Sequence, residues 1–275
     1  MLRVVGIKID NIMTREQLLL TAIKAAIVAG KEIFTIYNTD FEVEQKADFS
    51  PLTEADKKAH NKIMELLAPT NLPVLSEEGK TIPYVERKNW RQFWMVDPLD
   101  GTKEFVKKNG EFTVNIALIE NGKATLGVIY VPVTKELYFS NEKAYKCTVN
   151  HKEIETLEKL IASSLSLPLA HERNNYVVVA SRSHMSVETE EFISQQKKTH
   201  QEVDLLSKGS SLKLCMVAEG SADSYPRFAP TMEWDTAAGQ AIAEASECKV
   251  IDFTTQQELA YNKENLLNNW FLVER

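Results

Sequence analysis

The run Asp97-Pro98-Leu99-Asp100-Gly101-Thr102 sets two carboxylates on either side of a proline and a leucine, directly after the apolar Phe93-Trp94-Met95-Val96. That apolar stretch predicts a strand ending abruptly at Asp97-Pro98, because proline fixes its own φ and offers no N–H for further pairing. Gly101 permits a backbone conformation that other residues resist. Two carboxylates and an intervening carbonyl would then point at one spot, and hard cations such as Mg2+ take oxygen ligands of this kind. The same residues would equally make an ordinary type I turn, with Pro second and Asp and Gly later.

Three other acidic segments bear on that choice. Ser76-Glu77-Glu78-Gly79 lies just beyond the apolar Pro73-Val74-Leu75; standing alone it would be a solvated turn. Glu233-Trp234-Asp235-Thr236-Ala237-Ala238-Gly239 opens a helix rich in small residues, where Asp235 would serve as a cap. Asp56 completes a T-x-x-D helix start behind Thr53. Each acid has a structural use, yet all sit at strand ends or helix starts. In layered α/β folds those ends converge on a crevice. Bare carboxylates gathered there repel one another unless cations or protons neutralise them.

The elements that must position these acids can be read from periodicity. Thr14-Arg15-Glu16-Gln17 has the form of a capping box, and Leu18, Leu19, Ala22, Ile23, Ala26 and Ile27 follow at helical spacing. Gly30 either ends that helix or marks a close helix contact before Ile33, Phe34 and Tyr37. Thr53 caps a second helix, continued by His60, Ile63, Met64 and Leu67. Strands are expected at 73–76 and 93–96, then over 112–119 and 124–131, joined by the hairpin signal Asn121-Gly122. Strands at 137–140 and 144–149 continue the meander. Residues 1–13 read as a leader or an added strand, and residues 151–174 as a polar junction. Beyond it strands and helices alternate: strands at 176–180, 203–206, 222–225, 249–253 and 270–273, helices at 187–198, 210–218 and 234–245. The picture is layered α and β with two subdomains, 1–150 and 151–275.

Composition narrows the field. A chain of 275 residues corresponds to about two domains. Hydrophobic residues at 44% and charged residues at 26% exclude a disordered chain. The net charge of −7 argues against broad nucleic-acid binding but leaves room for a small anion in one basic pocket. Cys147, Cys215 and Cys248 form no C-x-x-C pair, so neither a disulfide framework nor a zinc ribbon is expected. A reducing cytoplasm is the simplest compartment, with peripheral contact to the inner face of the cell membrane left open. The apolar residues 18–30 contain Lys24 and are too short to span a bilayer, and no secretory signal is expected.

Taken in order, the acidic element after a strand, then D-P-x-D-G-T, then W-D-x-A-A-G resembles the lithium-sensitive, magnesium-dependent phosphatases of the inositol monophosphatase superfamily. The chain is closer still to its CysQ-type 3′(2′),5′-bisphosphate nucleotidases. That likeness rests on 46–56, 74–78, 94–119 with its G-E-F-T-V-N-I-A-L run, Ser181-Arg182-Ser183-His184, 209–220 and 225–239. The resemblance implies a sugar-phosphatase-like α-β-α-β-α sandwich, with a mixed, largely antiparallel N-terminal sheet and a smaller α/β C-terminal subdomain. It implies two or three Mg2+ ions held by Glu77, Asp97, the Leu99 carbonyl, Asp100 and Asp235, with Asp97 bridging. It implies that Asp56 and Thr102 orient and deprotonate the attacking water, and that Gly101 and Thr102 offer backbone N–H groups to the phosphate. It places Glu77, Leu99, Asp100, Gly101, Thr102 and Asp235 against the substrate, with His184, Ser211, Lys213 and Arg227 at the nucleotide and its retained phosphate. The bland readings are a surface turn for His184, a helix cap for Ser211, and solvated charges for Lys213 and Arg227.

The implied reaction is hydrolysis of the 3′-phosphate of adenosine 3′,5′-bisphosphate to AMP and phosphate, in support of sulfur assimilation. An inositol or sugar phosphatase would share every metal ligand. A non-catalytic metal and nucleotide sensor would be expected to have lost Asp56 or Thr102, and both are present. A Ca2+ module is disfavoured because the acids are scattered along the chain.

Overall fold

The computed structural model describes residues 13–40, 42–45, 51–149, 154–170, 173–181 and 185–275. The leader or added strand expected over 1–13 therefore lies outside the described residues except for Met13, as do 46–50, 151–153 and His184.

The first helix, Arg15–Tyr37, opens on the expected box: Gln17 N–H donates to Thr14 Oγ1 at 3.2 Å and Thr14 N–H donates to Gln17 Oε1 at 2.8 Å. Its apolar stripe, including Leu19, Ala22, Ile23, Ala26 and Ile33, is buried. Gly30 neither ends this helix nor meets another helix. A Cβ there would lie 2.4 Å from the Tyr130 ring, so the missing side chain lets the helix settle onto the sheet. Helix Glu54–Leu67 packs beside it and starts as read, with Thr53 as cap and Asp56 at the third helical position.

These two helices cover one face of a seven-stranded sheet in the order Val74–Ser76, Gln92–Asp100, Thr113–Glu120, Lys123–Val131, Glu136–Ser140, Ala144–Thr148, Leu165–Ser166. Only the first pair is parallel. Strand alternation sorts the side chains: Trp94 and Val96 face the first two helices, while Phe93 and Met95 face the second core. That second core is filled by helices Leu212–Glu219 and Glu233–Glu244. Behind them lies a five-stranded sheet in the order Val203–Ser207, Tyr176–Ala180, Ser224–Arg227, Phe271–Glu274, Lys249–Asp252, with helix Val187–Thr199 packed on its strands. The layers run helix, sheet, helix, sheet, helix, as the resemblance implied.

Asn121 and Gly122 make the expected tight hairpin, both with positive φ, 52° and 81°, which suits the twist of the flanking strands. The described part of the polar stretch 151–174, chiefly 154–170, holds more regular structure than its composition suggests. It holds helix Leu157–Ala162 and strand Leu165–Ser166, which pairs with Ala144–Thr148. Elements this short carry no periodic signal. No helix among the described residues is long and apolar enough to cross a membrane.

Candidate active site

The strand leading to the acids does not stop at Asp97. It runs from Gln92 to Asp100, and Asp97 pairs with Asn115 while Asp100 pairs with Thr113, with a register shift between them. Three residues advance on one strand while two advance on its partner, which is a β-bulge. The bulge decides the chemistry. In a regular strand, residues three apart point to opposite faces; the extra residue returns both carboxylates to one side. Leu99 turns its side chain into the first core, where it is 2% exposed, and its N–H donates to Asp97 Oδ1 at 3.0 Å. Gly101 follows with φ 90°, a left-handed conformation available to glycine at little cost. An ordinary type I turn is thereby replaced by a bulged strand end.

Asp235 arrives from the other core. It is the third residue of helix Glu233–Glu244 and accepts from Met232 N–H at 2.8 Å, so it does help to cap its helix. The helix lies close on the sheet because Gly127 has no side chain: a Cβ there would be 2.2 Å from the Ala238 carbonyl oxygen. The result is that Asp97, Asp100 and Asp235 each bring a carboxylate oxygen within 4.8 Å of the others. Asp97 is 1% exposed. Burial, and then the charges of Glu77, Asp100 and Asp235, push its pKa well above the usual carboxylate range. Burial, and then Asp100, push Asp235 up to about 8. Glu77 lies near enough to Asp97 for its charge to bear on that carboxyl, and its N–H donates to Val96 O at 3.1 Å.

Asp100 is held by donors from two directions. Ser210 Oγ and Ser211 N–H donate to Asp100 Oδ2 at 2.7 and 2.6 Å, and Asn115 Nδ2 at 3.4 Å. Ser211 sits at the N-cap of its helix but makes no side-chain cap bond. Its hydroxyl donates to Asn115 Oδ1 at 2.9 Å instead. Asp56 is 1% exposed. Its Oδ2 accepts from Thr53 N–H at 2.8 Å and Thr53 Oγ1 at 2.6 Å, and its Oδ1 accepts from Thr102 Oγ1 at 3.3 Å.

One cavity is lined by Asp100, Gly101, Ser211, Lys213, Arg227 and Asp235. Lys213 is no solvated charge. It is 4% exposed, its Nζ donates to Ser210 O at 2.6 Å and Lys208 O at 3.2 Å, and burial pulls its pKa down to about 8. Arg227 Nη2 donates to Pro230 O at 2.8 Å. Its Nε is buried with no hydrogen-bond partner among the described residues, an arrangement that costs free energy until an acceptor arrives. Glu77 lies apart from this cavity and lines another, with Ser76, Met232 and Trp234.

The acids fit a metal centre by their own chemistry. They supply only oxygen donors, suited to hard cations, and burial together with neighbouring carboxylates raises the pKa of Asp97 and Asp235 until positive charge neutralises them. Lys213 does not supply that charge directly, since its Nζ bonds to backbone carbonyls. Sequence reasoning did not single out Thr113, Asn115 or Ser210 as supports of these acids. The alternation in Thr113-Val114-Asn115 puts two polar side chains on one face of a strand otherwise apolar, which was the only local signal.

A layered α/β protein with an oxygen-only acidic centre beside a basic cavity is the class that fold and site define. A family model, the inositol monophosphatase family, matches residues 14–272. The 3′(2′),5′-bisphosphate nucleotidase CysQ of Salmonella typhimurium is 45% identical over 251 residues, covering 89% of this chain and 94% of that protein. The protein of the same name from Haemophilus influenzae is 32% identical over 263 residues, covering 94% and 93%. Among solved structures, CysQ from Bacteroides thetaiotaomicron, a bacterial member of the inositol monophosphatase family, is similar with a TM-score of 0.87 and 52% identity, covering 94% of this chain and 97% of that one. The suhB protein of Bartonella henselae shares the fold, with a TM-score of 0.70 and 23% identity over 94% and 93% of the two chains. The chain belongs to the inositol monophosphatase family.

Proposed function

We propose that this protein is a Mg2+-dependent phosphomonoesterase that hydrolyses the 3′-phosphate of adenosine 3′,5′-bisphosphate, giving AMP and phosphate. The observation that carries the reading is the meeting of Asp97, Asp100 and Asp235 within 4.8 Å, with Asp100 and Asp235 opening on the same cavity as Arg227 and the buried Lys213. The likeness to the CysQ nucleotidases over most of the chain supports this choice of substrate.

Glu77, Asp97, the Leu99 carbonyl, Asp100 and Asp235 would hold two or three Mg2+ ions. Bound Mg2+ supplies charge neutralisation for the phosphoryl oxygens and lowers the pKa of water. Thr102 Oγ1 donates to Asp56 Oδ1, which leaves a hydroxyl lone pair free to accept a proton from the attacking water. Asp56 is kept in place for this by its two bonds from Thr53, and it draws the hydroxyl proton as the water's proton arrives. Gly101 and Thr102 lie where the strand turns into helix Thr102–Val106, and the first N–H groups of a helix have no partner within it; they would meet the phosphate being cleaved. Lys213 and Arg227 would hold the 5′-phosphate, satisfying the orphan Nε. Attack would be in line, breaking the bond from phosphorus to the ribose 3′ oxygen, which takes up a proton. The reaction would run in the cytoplasm, clearing a by-product of sulfate activation.

The test is phosphate release from a panel that pairs adenosine 3′,5′-bisphosphate with inositol 1-phosphate, with and without Mg2+. Faster release from the bisphosphate, only with Mg2+, is expected. Preference for inositol 1-phosphate would make the protein an inositol phosphatase. Binding of the bisphosphate without phosphate release would make it a sensor.

A further inference from the structure

Helix Glu54–Leu67 carries Asp56 and, one turn later, His60. Residues four apart share a helix face. Asp56 is spent on Thr53 and Thr102, but His60 has no part in the mechanism above. Its Nδ1 lies 3.0 Å from Ser76 Oγ. Ser76 is 7% exposed, ends the strand Val74–Ser76, and begins a tight turn that Gly79 N–H closes on the Ser76 carbonyl at 3.1 Å. Glu77 is the first corner residue of that turn. The ring also underlies the far end of the turn: a Cβ on Gly79 would lie 3.8 Å from His60 Cε1 and 3.1 Å from Ser76 O.

The turn therefore has two supports. On one side Glu77 N–H bonds to Val96 O, beside Asp97. On the other, the His60 ring holds Ser76. Such support has a purpose, because Glu77 and Asp97 disfavour each other's charged forms. Burial keeps the His60 ring below its ordinary pKa, so at neutral pH it is uncharged and can serve the Ser76 hydroxyl as donor or acceptor.

We propose that His60 is a positioning residue for Glu77: through Ser76 it fixes the Glu77 turn to the helix that carries Asp56. The inference rests on the reading of Glu77 and Asp97 as Mg2+ ligands. Partners that orient metal ligands typically contribute about 10–100-fold to metal affinity. His60→Ala and Ser76→Ala are each expected to weaken Mg2+ binding by about tenfold, and the double variant by no more than either alone, since both break one contact. His60→Asn, whose amide nitrogen falls near the place of Nδ1, should restore most of the affinity, and His60→Gln should not.

The measurement is isothermal titration of Mg2+ into the full chain, without substrate, for wild type, Glu77→Gln, His60→Ala, His60→Asn, His60→Gln, Ser76→Ala and the double variant. At saturating Mg2+ the KM of the His60 and Ser76 variants for the bisphosphate should stay within about twofold of wild type, because the basic cavity is untouched. If His60→Ala does not fold, His60→Asn against His60→Gln and Ser76→Ala alone carry the comparison. Wild type that binds no Mg2+, or Glu77→Gln that binds it as well as wild type, overturns the metal reading and this inference together. Glu77→Gln weakened while Ser76→Ala and the His60 variants bind Mg2+ normally overturns the His60 inference alone. Additive losses in the double variant would also overturn it.

Discussion

Replacing Asp235 by Asn should make the metal-free protein more stable, and increasingly so as pH rises. Burial, and then Asp100, lift the Asp235 carboxyl from 3.8 to about 8. An acid raised on folding gives the native chain more protons than the unfolded chain across that window, so its contribution is full below 3.8 and is lost as pH rises through about 8. Each pH unit is worth about 1.4 kcal/mol per excess proton, which sets a ceiling of about 6 kcal/mol. Asp235 is only partly buried, and solvent screening brings the expected figure down to about 2–3 kcal/mol. Asn keeps an oxygen for the Met232 N–H, now at 2.8 Å, so the helix start survives. Urea denaturation followed by circular dichroism, in chelator, should show the variant gaining about 2–3 kcal/mol on wild type between about pH 5 and pH 8. Adding Mg2+ to a hundredfold excess over its Kd should return about 2.7 kcal/mol to wild type and little to the variant. A gap between the two proteins that ignores pH, or that moves in favour of wild type as pH rises, would refute the crowded-carboxylate argument.

Other consequences follow from the same geometry. Asp56→Asn and Thr102→Val should each lower kcat by about 10²–10⁴ while leaving Mg2+ affinity, read by calorimetry, near wild type; loss of Mg2+ binding instead would place these residues in the metal centre. Lys213→Ala should raise KM for the bisphosphate far more than for a simple monophosphate, and equal effects on both would remove it from the 5′-phosphate. Because the Lys213 ammonium is pulled down to about 8, the native chain holds fewer protons than the unfolded chain between about 8 and 10.5. Substrate KM should accordingly climb above about pH 8 in wild type and stay flatter in Lys213→Arg, whose charge persists. Gly127→Ala sets a methyl 2.2 Å from the Ala238 carbonyl. It should cost about 1–3 kcal/mol in thermal or urea unfolding and weaken Mg2+ binding by shifting Asp235; an unaffected melting temperature would show that the helix has room to move.

Much of the local structure is legible from residues close together in the chain. Thr14 with Gln17, Thr53 with Asp56, and Asn121-Gly122 each encode their geometry within a few positions, so short-range sterics and hydrogen bonding suffice to read them. The acids could be named for the same reason, each standing at a visible strand end or helix start. What the sequence alone left open was whether Asp97-Pro98-Leu99-Asp100 is a turn or a strand end that sends both carboxylates to one side. The answer depends on Asn115 and Thr113 of the neighbouring strand, whose pairing forces the bulge. The gathering of Asp235 with Asp97 and Asp100 depends on Gly127 admitting a helix backbone from the far end of the chain. The same is true of Lys213, a plain charge in the sequence and a buried one in the fold, and of His60, whose partner Ser76 is reached only through packing. Such features arise from the burial and close approach of elements remote in sequence, energies that no local spacing records, and they were decided by the tertiary structure.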